Sequence, residues 1–196
     1  MFKKYITSID QTQSFFTNVT YPRNVNIFHG HYPEVHELHN LKLLIDEKLK
    51  TNLDKQQTNI YAEKTEFNVL NDSEVVKNFL GYVHKQISLS PGGEVIKFWN
   101  EMFVMETWGN RMNKGDYIKN HVHNCLHLIL YLTEGVELFL PELQMSIVPK
   151  PGDWYLLPPH LLHYSNKSIS EEARYSFVCN LTEKANWDRL KELNLY

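Results

Sequence analysis

The sequence predicts a mainly β protein with flanking helices, whose strands form a jelly-roll-like double-stranded barrel. Three observations support this fold class. Aromatic residues make up 13% of the chain, which is typical of a dense, sheet-rich core. The hydrophobic period changes from helical to strand-like near residue 100. Beyond that point, short apolar runs are separated by Pro and Gly. The length of 196 residues favours a single domain over residues 1–196.

Two helices are predicted in the polar first half. Residues 34–52 place apolar side chains three and four positions apart, as on one face of a helix: Val35, Leu38, Leu41, Ile45 and Leu49. A second helix is expected to start at Asp72 or Ser73, which can cap its first turn. Its apolar positions are Val75, Val76, Phe79, Leu80, Val83 and Ile87, and it should stop before Pro91. Residues 1–98 are therefore expected to be a largely helical support region.

The second half predicts the barrel. Strand candidates are residues 103–108, 117–123, 126–132, 136–140, 144–148, 153–157 and 173–180. Turn residues separate them at Glu134-Gly135, Pro141-Glu142 and Pro151-Gly152-Asp153. Residues 99–181 should form the barrel core. Residues 182–196 are expected to form a C-terminal helix capped by Thr182.

Composition excludes several classes of protein. The formal charge of −3 offers no basic surplus for nucleic acid. Cys125 and Cys179 are too few for a disulfide framework and fit a reducing compartment. The opening MFKKYITSID has no apolar region typical of a signal peptide. The nearly apolar residues 126–132 are too few to span a bilayer. These features favour a cytoplasmic protein.

A histidine cluster predicts a metal site. His121 and His123 stand two apart on a predicted strand, so their side chains point the same way. His127 is an even number of positions from His121 and His123, so its side chain points to the same side if the strand continues. Neutral imidazole binds iron, zinc, nickel and copper well. A third ligand must come from elsewhere, and the stretch PGDWYLLPPHLLHYSN offers His160 and His163.

An inward-facing arginine predicts an anion site. In the strand 173–180, Arg174, Ser176, Val178 and Asn180 share one face, and the other face is apolar. A buried guanidinium needs an anionic partner. Its fork suits a carboxylate, and a neighbouring hydroxyl can complete the contact. An internal ion pair is the alternative, but beside a metal-ligand pattern a ligand carboxylate is favoured.

These motifs carry a family resemblance. The stretch from Trp108, WGNRMNKGDYIKNHVHNCLHLILYL, followed by PGDWYLLPPHLLHYSN and RYSFVCN, resembles the iron(II)/2-oxoglutarate-dependent oxygenases of bacteria and phages. Members of that family share H-x-H before an apolar strand with a tyrosine, a Pro-Gly turn before a distal His, and R-x-S-x-x-x-N. The resemblance covers the second half of the chain only.

The resemblance implies a double-stranded β-helix that binds Fe(II) and 2-oxoglutarate as co-substrate. By its motifs, His121, His123 and His163 are the implied metal ligands. Arg174 is the implied anchor of the distal carboxylate of 2-oxoglutarate. The accompanying co-substrate contacts are Ser176, Tyr131, Tyr117 and Asn180. The implied reaction is a dioxygenase reaction, in which decarboxylation of 2-oxoglutarate drives hydroxylation of a substrate C–H bond. No catalytic residue is implied beyond the metal site.

One departure from the wider superfamily concerns the ligand set. The usual triad is two histidines and one carboxylate, and here His123 stands at the carboxylate position. Asp116, Glu134 or Asp153 is an alternative acid ligand, and His160 is an alternative to His163.

A cupin is the competing interpretation. Gly115-x5-His121-x-His123 matches the opening of the first cupin motif, and Pro151-Gly152-Asp153 echoes the second. A cupin would hold a three-His metal site, as in thiol dioxygenases or metal- and sugar-binding proteins, without 2-oxoglutarate. It would leave Arg174 unexplained. For either protein the substrate is expected to be a small molecule or a protein side chain, and a homodimer is left open.

Overall fold

The computed structural model describes residues 3–11, 21–54, 59–89, 102–183, 188, 189 and 192. Its strands and helices follow one another in this order: β1 (Lys3–Gln11), β2 (Tyr21–His31), α1 (Val35–Thr51), β3 (Ile60–Tyr61), β4 (Glu63–Lys64), α2 (Glu74–Ser88), β5 (Met102–Met112), β6 (Tyr117–His121), β7 (Leu126–Tyr131), β8 (Leu138–Leu140), β9 (Met145–Ile147), β10 (Asp153–Leu157), β11 (His163–Ser165) and β12 (Arg174–Glu183). A single 3-10 turn, Pro141–Leu143, joins β8 to β9.

Two antiparallel sheets face each other across an interior. Within the described residues, the large sheet has the strand order β1-β2-β10-β7-β12-β5-β4, and the small sheet has the order β3-β6-β11-β8-β9. Inward-facing apolar side chains of both sheets form one buried cluster, which includes Ile27, Trp108, Ile129, Leu138, Leu157 and Val178. This arrangement is a double-stranded β-helix, as the sequence predicted.

Both helices cover the outer face of the large sheet. Phe79 of α2 meets Phe177 of β12 edge to face, with ring centroids 6.0 Å apart. Helix α1 approaches β5 so closely that a Cβ on Gly109 would overlap the Ile45 side chain. The helices therefore lie on the side of the large sheet that faces away from the interior, which leaves the space between the sheets for a site.

The predicted helices are confirmed with small changes. Leu38, Leu41, Ile45 and Leu49 of α1 are buried, as are Val76, Phe79, Val83 and Ile87 of α2. Val35 was expected on the buried face but is 72% exposed, because the helix only begins at that residue. Ser73 is the N-cap of α2, although its side chain makes no capping hydrogen bond.

The first half contributes strands as well as helices. β2 pairs with β10 in the large sheet, and β1 pairs with β2. The description of residues 1–98 as a largely helical support region therefore left out a part of the barrel itself. Val25, Ile27 and Phe28 of β2 are buried, but the sequence analysis did not assign these residues to a strand. The strand character of β2 comes from pairing with a segment more than 120 positions away.

The C-terminal prediction is wrong at its start. β12 continues through Thr182 to Glu183, so Thr182 pairs in the sheet and does not cap a helix. Residues 188, 189 and 192 are helical, and the rest of the predicted helix lies outside the described residues. In the part of the chain that the structure describes, neither helix combines the length and the apolar character that a membrane crossing needs.

Candidate metal centre

Three histidines from different elements converge between the sheets. His121 ends β6 and His163 begins β11, and these two residues pair directly across the two strands. His123 lies two residues beyond the end of β6. One ring nitrogen of each histidine can serve as a ligand, and these nitrogens all lie within 4.8 Å of one another. The residues predicted from H-x-H and the distal histidine are thus brought together.

The rings of His121 and His163 are oriented by backbone carbonyls. The Nδ1 of His121 donates to the Lys119 carbonyl over 2.8 Å, and the Nδ1 of His163 donates to the Leu161 carbonyl over 2.9 Å. A carbonyl can only accept, so each Nδ1 carries the proton and each Nε2 keeps its lone pair. This is the tautomer that binds a metal through Nε2.

Burial keeps the cluster neutral. Desolvation lowers the pKa of His123 to about 3 and that of His163 to about 4, and it also lowers the pKa of His121. The neighbouring imidazoles lower the pKa values of His123 and His163 further. The Nε2 atoms of His123 and His163 are buried without a hydrogen-bond partner among the described residues. Neutral, unpartnered imidazole nitrogens at this spacing fit a divalent transition metal.

The alternative ligands lie elsewhere. Asp153 contacts His31 at 3.0 Å, Asp116 accepts from the Asn113 backbone, and Glu134 is exposed. His160 is exposed, and its backbone N–H donates to the His123 carbonyl. None of these residues joins the cluster of ligand atoms found in the described chain. The donor set there consists of three histidines.

Arg174 is buried beside the same interior. It is 3% exposed, and one guanidinium nitrogen donates to the Val136 carbonyl over 2.9 Å. Among the described residues, its Nε has no hydrogen-bond partner and no carboxylate pairs with the guanidinium. The guanidinium lies 5.2 Å from the centroid of the Tyr131 ring. Gly135 permits this position, because a Cβ there would come within 2.8 Å of the Arg174 side chain.

One cavity joins Arg174 to the histidines. Its polar lining consists of Trp108, Asn110, His121, His127, Tyr131, His163, Tyr164, Ser165, Arg174 and Ser176. Burial raises the pKa of Tyr131 to about 12, so its hydroxyl stays protonated and can donate. The predicted inward face of β12 therefore brings Arg174 and Ser176 to the metal cluster, together with Tyr131 of β7.

Tyr117 and Asn180 are placed away from Arg174. Tyr117 stacks on Tyr61, with ring centroids 4.6 Å apart, and lines a separate groove. Asn180 lies deeper along β12, where its amide contacts His127 and Glu106. Both residues lie in strands, as predicted. Alternation along a strand gives the face on which a residue lies, but not whether that part of the strand borders the cavity.

Sequence reasoning assigned no role to two further polar side chains of the cavity. Asn110 donates to the Ser176 hydroxyl over 3.3 Å, and its Oδ1 has no partner among the described residues. The indole N–H of Trp108 is likewise buried and unpartnered within that part of the chain. The sequence prediction ended this strand at residue 108, whereas β5 continues to Met112 and so includes Asn110.

Comparisons with known proteins agree on the fold. No protein-family model and no curated protein matches the chain. A Pseudomonas putida prolyl-4-hydroxylase has 12% identity and a TM-score of 0.62, covering 81% of this chain and 92% of its own. The viral collagen prolyl hydroxylase of Paramecium bursaria Chlorella virus-1, solved with 2-oxoglutarate, has 14% identity, a TM-score of 0.58, and coverage of 78% and 94%. HygX of Streptomyces hygroscopicus, solved with nickel and 2-oxoglutarate, has 13% identity, a TM-score of 0.54, and coverage of 81% and 83%.

Fold and site together define a class: a double-stranded β-helix protein with a three-histidine cluster inside the barrel. Solved structures that share this fold include a complex of the viral collagen prolyl hydroxylase with 2-oxoglutarate and an oxidoreductase of the 2OG-Fe(II) oxygenase family from Burkholderia pseudomallei.

Proposed function

We propose that this chain is an iron(II)/2-oxoglutarate-dependent oxygenase, acting as a hydroxylase. The observation that carries the proposal is Arg174, a buried guanidinium without a carboxylate partner in the described chain, on the wall of the cavity that His121 and His163 also line. An unpaired buried charge is costly, and a ligand carboxylate is the partner that its fork fits best. A keto dicarboxylate supplies one carboxylate for Arg174 and a chelating end for a metal.

In this proposal His121, His123 and His163 hold Fe(II). Their neutral nitrogens suit iron, and the hydrogen bonds of His121 and His163 to backbone carbonyls hold two of the rings in the required tautomer. When bound, the iron supplies the redox chemistry with dioxygen that converts 2-oxoglutarate to succinate and carbon dioxide and oxidises the substrate.

Arg174, Tyr131 and Ser176 bind and orient the co-substrate. Arg174 holds the distal carboxylate, and the protonated hydroxyl of Tyr131 and the hydroxyl of Ser176 donate beside it. Asn110 fixes the Ser176 side chain through its amide. Apolar side chains of Ile129, Leu138 and Val178 line the same cavity and exclude water from it, which strengthens every polar contact inside.

The wider assignment follows from the same proposal. Its substrate is a small molecule or a protein side chain, since the formal charge of −3 gives no basic surplus for binding nucleic acid. Specificity resides in the first half and in loops at the barrel mouth. The chain acts as one domain in the cytoplasm, as a monomer or a homodimer.

Removing Arg174 tests the proposal. Truncating one partner of a buried charged pair costs about 2–5 kcal/mol, so Arg174→Ala should bind 2-oxoglutarate roughly 30- to several-thousand-fold more weakly. Arg174→Lys should recover only part of this, because lysine is a point donor. Affinity is measured by anaerobic titration of the Fe(II) protein, and succinate formation is measured in air. Arg189→Ala, at an exposed arginine, is the matched control.

The cupin alternative has its own observation, the three-histidine donor set without a carboxylate. It predicts that metal binds while 2-oxoglutarate does not. Full metal occupancy with 2-oxoglutarate affinity unchanged by Arg174→Ala would favour the cupin and contradict the oxygenase.

A further inference from the structure

His123 differs from the other two histidines of the cluster. The rings of His121 and His163 each donate to a backbone carbonyl. The ring of His123 makes no hydrogen bond to any described residue, and its Nε2 is buried without a partner there. It also lies outside the strands, in the segment between β6 and β7. A metal-binding histidine usually makes a second contact that fixes its ring. The ring centroids of His121 and His163 lie 4.8 and 5.3 Å from that of His123, and both belong to proposed ligands.

His127 lies against that ring. The two imidazoles stack with centroids 3.8 Å apart and planes 11° from parallel. His127 belongs to β7 rather than to the connecting segment, and it is buried. It does not join the three ligand nitrogens. A ring held rigidly in the sheet thus forms one wall of the space that His123 occupies.

His127 is itself fixed by a row of polar side chains across three neighbouring strands. Asn180 of β12 stands opposite His127 of β7 on one side and Glu106 of β5 on the other. The Asn180 Nδ2 donates to a Glu106 carboxylate oxygen over 2.9 Å, which turns its Oδ1 towards His127. The His127 Nδ1 lies 2.8 Å from that oxygen. An amide oxygen only accepts, so the His127 Nδ1 carries the proton.

We propose that His127 is a positioning residue for the metal centre, which orients the His123 ring by stacking and is held in place by Asn180 and Glu106. Backbone carbonyls orient the rings of His121 and His163, and His127 orients the ring of His123. This inference rests on the proposed metal-binding function, and it adds a residue that is not one of the three proposed metal ligands.

Cobalt(II) titration of the metal-free protein tests the proposal. His127→Leu removes both the stacked ring and the hydrogen bond to Asn180, and it should weaken cobalt binding about 10- to 100-fold, as losing an orienting contact does. His127→Phe keeps a ring against His123 and should recover most of that loss. His39→Leu changes an exposed histidine of α1 in the same way and should bind cobalt like the wild type. Circular dichroism reports whether each variant folds.

Nitrogen-15 NMR of the wild-type histidine rings gives a second readout that needs no variant. In the metal-free protein, the His127 ring should be neutral with its proton on Nδ1. Cobalt affinity of a folded His127→Leu within about twofold of the wild type, or a proton on Nε2 of His127, would overturn the positioning role. If His123→Ala abolishes cobalt binding in the same series, the metal site itself stands. A wild type that binds no cobalt would overturn both.

Discussion

At the scale of single residues, His160 and His163 form a matched pair three positions apart. His163 belongs to the cluster and His160 does not. His163→Ala should therefore lose most bound iron, as should His121→Ala and His123→Ala, whereas His160→Ala should keep it. Metal analysis of the purified proteins measures this, with circular dichroism to check the fold. Full iron occupancy in His163→Ala, or its loss in His160→Ala, would contradict the assigned ligand set.

A second matched pair is Tyr131 and Tyr117. Both were predicted from the sequence to contact 2-oxoglutarate, but only Tyr131 lines the cavity with Arg174. Tyr131→Phe removes one hydroxyl donor and should weaken 2-oxoglutarate binding by about 0.5–1.5 kcal/mol, roughly 2- to 13-fold. Tyr117→Phe should leave the affinity unchanged. Anaerobic titration of both variants with 2-oxoglutarate measures the two affinities. Equal losses of affinity would contradict the placement of Tyr131, rather than Tyr117, beside Arg174.

The buried histidines also predict how stability depends on pH in the metal-free protein. The pKa of His163 is about 4 when folded and about 6.5 when unfolded. The unfolded chain therefore takes up the proton first, and stability falls as pH drops below 6.5. His163 alone should remove about 2 kcal/mol between pH 7 and 5.

Urea unfolding of chelator-treated protein at the two pH values measures this loss. His163→Asn removes the titrating group, so its stability should fall less than that of the wild type over the same interval. Identical falls in both proteins would mean that the folded pKa of His163 is not depressed.

Some positions of the site residues could be predicted from the sequence alone, and others could not. Strand parity was sufficient to predict the inward positions of His121 and Arg174, since each follows from alternation along one strand. His123 was predicted from the same alternation, but β6 ends at His121, so the predicted strand 117–123 is two residues too long. The surroundings of Asn180 depend on the register of β12 against β7 and β5. Register is set by long-range pairing, which a single sequence does not reveal. For this reason Asn180 was predicted beside the co-substrate and lies beside His127.

At the scale of elements, the close approach of α1 to β5 depends on Gly109. A Cβ there would overlap the Ile45 side chain, so Gly109→Ala should push α1 from the sheet and destabilise the fold by about 1–3 kcal/mol. Gly81 of α2 is a matched control, because a Cβ there meets nothing within 4 Å. Gly81→Ala should be stabilising by up to about 1 kcal/mol. Urea unfolding of both variants measures the two effects, and a neutral Gly109→Ala would contradict the packing described.

The elements themselves were unequally predictable. Helices α1 and α2 repeat apolar residues at helical spacing and could be located to within a few residues. Strands β6 to β10 are bounded by turn residues and could also be found. The place of β2 in the barrel depends on its pairing with β10, which is distant in the sequence, so the local sequence did not reveal it.

At the scale of the whole molecule, the two faces of the large sheet are used differently. Its outer face packs on α1 and α2, and its inner face lines the cavity together with the small sheet. Substitutions on the helix side should therefore act on stability, and substitutions on the inner face should act on binding. The fold is shared with solved structures at 10–17% identity, which is consistent with a core that tolerates sequence change while its layers are kept.

The proposed function requires three histidines to hold iron next to the cavity in which Arg174 holds a dicarboxylate. A crystal structure of the protein grown without oxygen, with Fe(II) and 2-oxoglutarate, tests it most directly. We expect metal density bound by His121, His123 and His163, and 2-oxoglutarate with one carboxylate paired to Arg174. Metal bound by other residues, or Arg174 paired with a protein carboxylate while 2-oxoglutarate is absent from the cavity, would contradict the proposed function.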